Sequence, residues 1–263
     1  MISTSGYTVA GTARPLSHAR ILWQPIAGTV TADGTGGDLA TNDFTHQRWQ
    51  AGTGTAVWTL QTAALLGVDC VFIAAHNLGG ATVTIATSST VDGAFTTRAT
   101  LAPTVDRTMV ALFNTSGGAP HGIRRLRVTV AENQGIARAV GIIRAGIALQ
   151  MQRALFAGHA PLGLIRRTVL REQESETGQF LGRIVQRRML QTSYDWSNLR
   201  QGWYRSNFEP FAQTLPGRPF GIAGNPAEMP EDVGWCWAGG DLAPSLTGPR
   251  DLMAVSLPVA GFW

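Results

Sequence analysis

Lysine is absent from this chain, since all 21 of its basic residues are arginines. The glycine-rich stretch ADGTGGD, residues 32–38, therefore lacks the Lys-Ser/Thr pair of a phosphate-binding loop, and no strand-to-helix pattern surrounds it. Arginine carries a permanent charge on a planar group with several donors, which suits protein interfaces better than lysine does. The missing lysine thus argues against a nucleotide-binding loop and favours contacts between proteins.

Cysteine and metal-ligand patterns are also scarce. Cys70 and Cys236 are the two cysteines, they are far apart in sequence, and apolar or aromatic residues flank both. We expect two buried thiols, without a disulfide or a zinc site. The five histidines lie in separate segments, at His18, His46, His76, His121 and His159. No histidine metal site and no cofactor are therefore predicted.

One acidic cluster lies in a proline-bounded loop and consists of Glu228, Glu231 and Asp232. Carboxylates at this spacing can hold a calcium ion, but in most proteins they are solvated or paired with arginine. We expect solvation or pairing here.

Long apolar runs and a leader pattern are missing as well. The start, MISTSGYTVAGTARPL, has no basic segment followed by an apolar core, and no window reaches the roughly 18 apolar residues of a membrane span. The net charge of +4 raises nucleic acid as a partner. However, the arginine clusters at 124–127, 166–167 and 187–188 are not followed by the aromatic platforms of single-strand binders. A soluble chain is predicted, with neither nucleic acid nor membrane as a partner.

Short apolar runs separated by turn residues fill the first 150 positions, which indicates an all-β region. Their spacing favours a jelly-roll-like β-sandwich. The predicted strands are Ala19–Trp23, Ala56–Gln61, Asp69–Ala75, Ala81–Thr87, Met109–Asn114, Leu126–Ala131 and Ala139–Arg144. Apolar and polar residues alternate in 81–85 and in 125–130, which predicts two half-buried strands with one face toward the core. The residues from Cys70 to Ala75 are apolar at both parities, which predicts a central strand covered on both faces.

The pattern changes near Gln150, where arginine, tryptophan and proline become more frequent. We place a domain boundary there, with the sandwich at 1–148 and a second, β-rich domain at 149–263. The second domain is predicted to carry one helix from Leu199 to Phe211, capped by Ser197 and kinked or ended by Pro210. Predicted strands flank it at Pro219–Ile222 and Leu252–Val259, and the segment Phe180–Leu190 fits helix or strand, with strand favoured.

His76 is the histidine most in need of explanation, because it follows a buried strand in the stretch His76-Asn77-Leu78-Gly79-Gly80. Asn and Gly accept positive φ at low cost, which indicates a turn. A catalytic role would need a nucleophile or carboxylate placed nearby, and the sequence offers only the distant Asp69 and Asp92. We interpret His76 as a turn residue, and we predict no enzyme activity.

Tryptophan is abundant for a loop-rich chain, with eight residues. Six of them are more than core filling requires, namely Trp49, Trp58, Trp196, Trp203, Trp235 and Trp237. Surface aromatics combined with arginine mark protein interfaces. They also mark sugar platforms, since an aromatic face stacks on the apolar face of a pyranose. The candidate partner-contact residues are Arg187, Arg188, Trp196, Trp203, Trp235 and Trp237.

Two sets of segments resemble a known family. QRWQAGTGTAVWTL followed by GVDCVFIAAHNLGGATVTIATSSTVDGAF resembles the galactose-binding-like, discoidin-type β-sandwich found in tail proteins of tailed bacteriophages. SETGQFLGRIVQRRMLQTSYDWSNL, WYRSNFEPFAQ, RPFGIA, PEDVGWCW and DLMAVSLPVAGF resemble the second half of phage tail-tip proteins.

The resemblance implies a structural virion component of the distal-tail or baseplate kind, assembled in the host cytoplasm. It implies a homo-oligomeric ring, a hexamer rather than a trimer, that links the tail tube to host-attachment parts and contacts other tail proteins. The alternative is a glycan-binding adhesion module that contacts the host surface, because discoidin-type sandwiches can bind glycans through loops at one end.

Overall fold

The chain is described here from a computed structural model that covers residues 1–4, 16–115, 118–131, 135–155, 159–162, 164–165, 167–248 and 251–262. At residues 167, 187, 188 and 262 it covers the backbone alone. The fold is mainly β, as predicted, with three sheets, one helical segment at 201–212 and a short 3-10 helix at Gly37–Thr41 in the covered ranges.

The strands range in length from two residues to 21. The longest pairs with one strand over its first half and with another over its second half. The described strands are β1 (Ile2–Ser3), β2 (Arg20–Leu22), β3 (Thr29–Ala32), β4 (Trp49–Gly52), β5 (Ala56–Val68), β6 (Cys70–His76), β7 (Val83–Ser88), β8 (Thr96–Leu101), β9 (Met109–Leu112), β10 (His121–Val130), β11 (Arg138–Gly146), β12 (Leu149–Gln150), β13 (Arg167–Glu174), β14 (Phe180–Arg200), β15 (Phe220–Ala223), β16 (Val233–Ala238), β17 (Ser245–Leu246) and β18 (Leu252–Phe262).

These strands form three sheets, which we call outer, middle and C-terminal. The outer sheet has the order β3-β5-β10-β7-β8, and the middle sheet has the order β1-β9-β6-β11-β4. The C-terminal sheet has the order β12-β2-β15-β16-β18-β14-β13, with β17 paired to β18.

The outer and middle sheets form the predicted sandwich, and their facing side chains make one core. Val83 and Ile85 of β7 and Val128 of β10 lie in this core, together with Val71 and Ile73 of β6. The alternation along β7 and β10 is therefore the inward and outward alternation expected from the sequence.

The middle sheet is covered on its second face as well, which confirms the prediction that Cys70–Ala75 is a central strand. All seven residues of β6 are buried. Cys70 and Phe72 pack with Leu22 and Ala223 of the C-terminal sheet. The apolar pattern at both parities thus reflects a three-layer arrangement, in which a strand has no solvent side.

The strand predicted at Ala19–Trp23 forms at Arg20–Leu22, but it belongs to the C-terminal sheet and not to the sandwich. Ile21 pairs with Ile222 of β15 and with Leu149 of β12. All three residues of β2 are buried, so the sequence indicated a buried strand without indicating its partner. The division at 148/149 stays a prediction, and a strand from the first half of the chain completes the C-terminal sheet.

The helical segment occupies residues 201–212, so it begins later than the predicted start near Leu199. It consists of an α-helical turn at Gln201–Trp203, a π-helical turn at Tyr204–Phe208 and a further α-helical turn at Glu209–Ala212. Leu199 instead continues β14, where it pairs with Met253. The prediction was wrong here because the strand partner β18 extends the ladder through Arg200, and pairing outweighs the helical spacing of the aromatics.

Aromatic side chains hold this segment, which we call α1, against the C-terminal sheet. The ring centroids lie 6.3 Å apart for Trp196 and Phe208, 5.3 Å for Phe208 and Phe211, and 5.1 Å for Phe211 and Phe220. The last two pairs are edge-to-face, an arrangement that adds attraction beyond the area buried. Phe180–Leu190 is strand, as favoured, and the predicted strands at 219–222 and 252–259 form as β15 and β18.

His76 ends β6 and fixes the turn that follows it. The backbone N–H of Leu78 donates to His76 Nδ1 at 3.2 Å, and His76 Nε2 lies 2.8 Å from the carbonyl oxygen of Arg107. These contacts select the neutral ring with its proton on Nε2. The side chain of Asn77 bridges to β11, the neighbouring strand of the sheet, because its Oδ1 accepts from the N–H of Ala139 at 2.6 Å. The geometry agrees with the turn interpretation, and burial lowers the pKa of His76 to about 4.

Replacing Gly221 by alanine is expected to destabilise the junction of the middle and C-terminal sheets. A Cβ at Gly221 would lie 2.6 Å from the ring of Phe72. Overpacking of this kind costs about 1–3 kcal/mol of unfolding free energy. The cost should shrink in a Phe72→Leu background, because the ring is gone and the two sites are coupled. Chemical denaturation of the four proteins measures this, with Gly54→Ala as control, since its added Cβ meets nothing within 4 Å. Equal costs in both backgrounds would contradict the assigned contact.

His76→Ala is expected to lower the free energy of unfolding by roughly 1 kcal/mol near neutral pH. The reason is that the ring's hydrogen bonds to the N–H of Leu78 and the carbonyl of Arg107 are lost. The folded protein holds His76 at a pKa of about 4, below the ordinary 6.5, so between these values the unfolded chain binds more protons. The stability of the wild type should therefore fall as the pH drops through this window. The variant should lose less stability over the same range.

Denaturation at several pH values tests this expectation. His18 and His121, whose pKa values burial also lowers, are present in both proteins, so the difference between the two profiles isolates His76. His46→Ala, at an exposed histidine, is the control and should follow the wild type. Parallel profiles for wild type and His76→Ala would refute the assignment.

Candidate functional site

The six candidate partner-contact residues divide into buried, exposed and partly described ones. Trp196 and Trp235 are 1% and 2% exposed, so they pack inside their own chain and leave no surface for a partner. Trp203 is half-buried, and Trp237 is 42% exposed. The prediction of partner contacts is thereby narrowed to Trp203 and Trp237 among the tryptophans.

The abundance of tryptophan has a structural explanation in the sandwich. Trp49 and Trp58 are fully buried in the sandwich core. The indole N–H of Trp49 donates to the carbonyl of Asp33 at 2.6 Å, and that of Trp58 donates to the carbonyl of Gly37 at 2.8 Å. Both rings thus fill the core and anchor the 33–37 loop. The expectation of a tryptophan excess over core needs was therefore wrong for these two, as for the buried Trp196 and Trp235.

Arg187 and Arg188 lie on β14, opposite Val169 and Thr168 of β13. Their side chains are outside the described atoms. Their backbone position is informative, because it places both residues in a hairpin formed by β13 and the first half of β14. We call residues 167–189 the arm.

The arm is an antiparallel pair of strands, formed by β13 and the first half of β14. β13 pairs with β14 from Arg167 opposite Met189 to Glu174 opposite Phe180. From Leu190 onward β14 pairs with β18 instead. At about 3.3 Å per residue, an eight-residue strand makes the arm roughly 26 Å long.

Exposed large apolar side chains are concentrated in the arm, which holds five of the thirteen found in the described residues. Ile184 is 65% exposed, Phe180 64%, Leu181 63% and Val185 48%. Leu170, opposite Val185, is also exposed. Neighbouring residues on a strand point to opposite faces, so Ile184 and Val185 place apolar groups on both faces. Sequence reasoning missed this surface, and its available signal was an apolar pattern at both parities inside an arginine- and glutamate-rich segment.

Asp232, predicted to be solvated or paired with arginine, is instead fully buried. The hydroxyl of Tyr194 donates to its Oδ1 at 2.7 Å, and the N–H of Leu162 donates to the same oxygen at 2.9 Å. His159 Nε2 lies 3.0 Å from Oδ2. This cluster fastens the segment around 159–162 to the C-terminal sheet. Burial, followed by the charge of Asp232, raises the pKa of the Cys236 thiol, so this cysteine is not an activated nucleophile.

Two open clefts border α1. The first, of about 770 Å³, contains Trp237 with the carboxylates of Glu209 and Asp241. The second, of about 830 Å³, is lined by the indoles of Trp23 and Trp203. We call the second one the indole cleft. Trp23 was predicted as part of a strand, and its surface position follows from the pairing of β2 with the C-terminal sheet.

Among the residues that the structure describes, no group of three or more His, Cys, Asp or Glu side chains is placed to hold a metal ion. The helices in these ranges also lack the length and apolar character that crossing a membrane requires.

No protein-family model and no curated protein matches this chain. Among solved structures, it is similar to chitosan-binding module 1 of a chitosanase/glucanase from Paenibacillus sp. IK-5, with 16% identity and a TM-score of 0.40 over 46% of this chain and 96% of that one.

Two further solved structures are similar over a comparable share of the chain. One is the F5/8 type C domain of a Bacteroides fragilis protein, with 9% identity and a TM-score of 0.37 over 44% of this chain and 89% of that one. The other is CBM32-1 from a family 31 glycoside hydrolase of Clostridium perfringens, with 11% identity and a TM-score of 0.37 over 47% of this chain and 98% of that one.

Proposed function

We propose that the chain is a structural subunit of a bacteriophage tail tip, of the distal-tail or baseplate kind, and that its copies form a ring through the arm. The observation that carries this proposal is the exposed apolar surface of the arm. The resemblance of the sequence segments to phage tail-tip proteins supplies the biological setting, a virion tail assembled in the host cytoplasm.

The arm has the properties of a segment that is completed by a partner. A two-stranded hairpin is at best marginally stable in water without a third strand or a packed face. Here neither face of the hairpin is buried around Ile184 and Val185. Each large apolar side chain contributes about 1.5–3 kcal/mol when it is fully buried. Association that covers several of them therefore stabilises the arm and the assembly together.

A neighbouring copy of the same chain is the partner we propose for the arm. In the described pairing, β13 is bonded to β14 alone, so its outer edge can accept a further strand. If each arm contacts a different surface of the next subunit, the contact is heterologous, and a closing rotation produces a ring. Six subunits are expected, and other tail proteins would contact the faces of the ring.

Glycan binding by the sandwich remains the alternative function. It differs from the ring proposal in a simple respect, because a monomeric sandwich can bind a glycan without any use of the arm. A protein that binds a glycan and stays monomeric would therefore favour the alternative over the ring proposal.

Ile184→Glu is expected to convert the assembled protein to a monomer, because it places a charge in the apolar surface of the arm. Ile184 is 65% exposed, so the fold of the single chain should be retained. Light scattering coupled to size-exclusion chromatography measures the mass, and negative-stain images show whether rings form. The matched control is Leu65→Glu on β5, an apolar residue that is 60% exposed on the sandwich. The control should assemble like the wild type.

A wild-type protein that stays monomeric at high concentration, alone and with tail components, would remove the basis of the proposal. If Leu65→Glu dissociates the ring and Ile184→Glu does not, the chain assembles through the sandwich and the role of the arm is wrong.

The virion setting is tested separately from assembly. Antibodies against the purified chain should label the distal end of the tail when particles of a phage that carries this gene are imaged. Labelling of the capsid, or of no part of the particle, would refute the tail-tip location even if rings form.

A further inference from the structure

The indole cleft is built by three elements that the fold brings together. β2 ends next to Trp23 and Gln24, and its pairing with β12 places Gln150 beside them. α1 contributes Trp203 and Ser206 to the same cleft. The cleft thus brings together residues near positions 23, 150 and 203, which are far apart in sequence.

Both indoles are held in place from behind. The ring of Trp23 packs against Phe211, with ring centroids 6.2 Å apart and an angle of 54° between the planes. Trp203 is half-buried and packs against the core of the C-terminal sheet. Each ring is therefore fixed by core contacts and keeps part of its surface in the cleft. A fixed aromatic surface loses little conformational freedom when a ligand stacks on it.

Polar groups of the cleft are available to a ligand. In the described part of the chain, the side chains of Gln24, Gln150 and Ser206 have no hydrogen-bond partner. Gln152 uses its Oε1 to accept from the N–H of Arg200 at 2.7 Å, which leaves its amide NH₂ to donate. Asn207 donates through Nδ2 to the carbonyl of Trp203 at 3.0 Å, which leaves its Oδ1 to accept. Donors and acceptors therefore lie around two apolar platforms.

The charge of the lining narrows the class of ligand. His18 and Arg153 line the indole cleft, and its described lining contains no carboxylate. The Trp237 cleft differs in this respect, since Glu209 and Asp241 line it. A cationic ligand would meet only positive or neutral groups in the indole cleft, which disfavours it.

We propose that the indole cleft is a saccharide-binding site that takes neutral or anionic sugars. A saccharide presents apolar C–H faces for the indoles and hydroxyls for the amide and hydroxyl groups, which is the mixture of surfaces that the cleft offers. The volume of about 830 Å³ lies within the range of ligand pockets and leaves room for more than one sugar ring. The site is separate from the arm, so it stands or falls independently of ring formation.

The first experiment applies the full-length protein to an array of neutral, acidic and amino-sugar glycans. The best-binding soluble oligosaccharide is then titrated by calorimetry, which reports the affinity of each site free of multivalent effects. We expect neutral or acidic glycans to bind. The absence of any binder on the array, or binding of glucosamine oligomers alone, would overturn the proposal.

The second experiment assigns the binding to the cleft with three variants. Trp203→Ala should weaken binding about tenfold, a factor that corresponds to about 1.4 kcal/mol. Gln24→Ala changes an exposed residue, so it should fold normally and weaken binding severalfold. Trp237→Ala removes an exposed indole from the other cleft and is the matched control, with an unchanged affinity expected.

Circular dichroism and thermal unfolding establish that each variant is folded. If Trp203→Ala is unstable, the decision rests on Gln24→Ala and the control. Wild-type affinity in both cleft variants, or a loss of affinity confined to Trp237→Ala, would show that the saccharide does not bind in the indole cleft.

Discussion

The burial of the middle sheet on both faces is the constraint on which the rest of the structure depends. β6 supplies Val71 and Ile73 to the sandwich core and Cys70 and Phe72 to the core beneath the C-terminal sheet. One strand therefore couples two packed layers, and a change of its register would expose apolar groups to both. The approach of β15 to Phe72 is so close that the facing position is glycine, Gly221. The two halves of the chain are thus packed against each other as layers.

This packing also decides where the surface features lie. β2 leaves the N-terminal region to join the C-terminal sheet, and this displacement places Trp23 next to α1. The aromatic contacts from Trp196 to Phe220 hold α1 in position. Asp232 fastens the segment after β12 through three hydrogen-bonding groups, which offset the cost of burying its charge. The indole cleft is consequently bordered by elements that are each anchored in a core.

The arm differs from the rest of the fold, which we call the body, in its buried apolar surface and in its strand pairing. Its strands bury little apolar surface, and in the described residues no third strand pairs with this hairpin. The body does not need the arm to complete its cores, since β14 joins β18 only from Leu190 onward. A segment of this length with exposed apolar groups on both faces is costly for an isolated chain, because such patches promote association. An assembled state in which the arm is covered removes that cost.

The sequence by itself determined the class of fold and much of its local structure. Period-two alternation predicted the strands at β7 and β10, and apolar residues at both parities predicted the buried strand β6. The Asn and Gly residues that follow His76 predicted that it ends a strand at a turn. These features depend on neighbouring residues, whose pattern is visible in the chain. The tertiary structure alone decided that Trp196 and Trp235 are core, that β2 belongs to the C-terminal sheet, that Asp232 is buried, and that Trp23 and Trp203 share a cleft. Each of these depends on contacts between residues far apart in sequence, because an indole or a buried strand has the same local pattern whichever layer finally covers it.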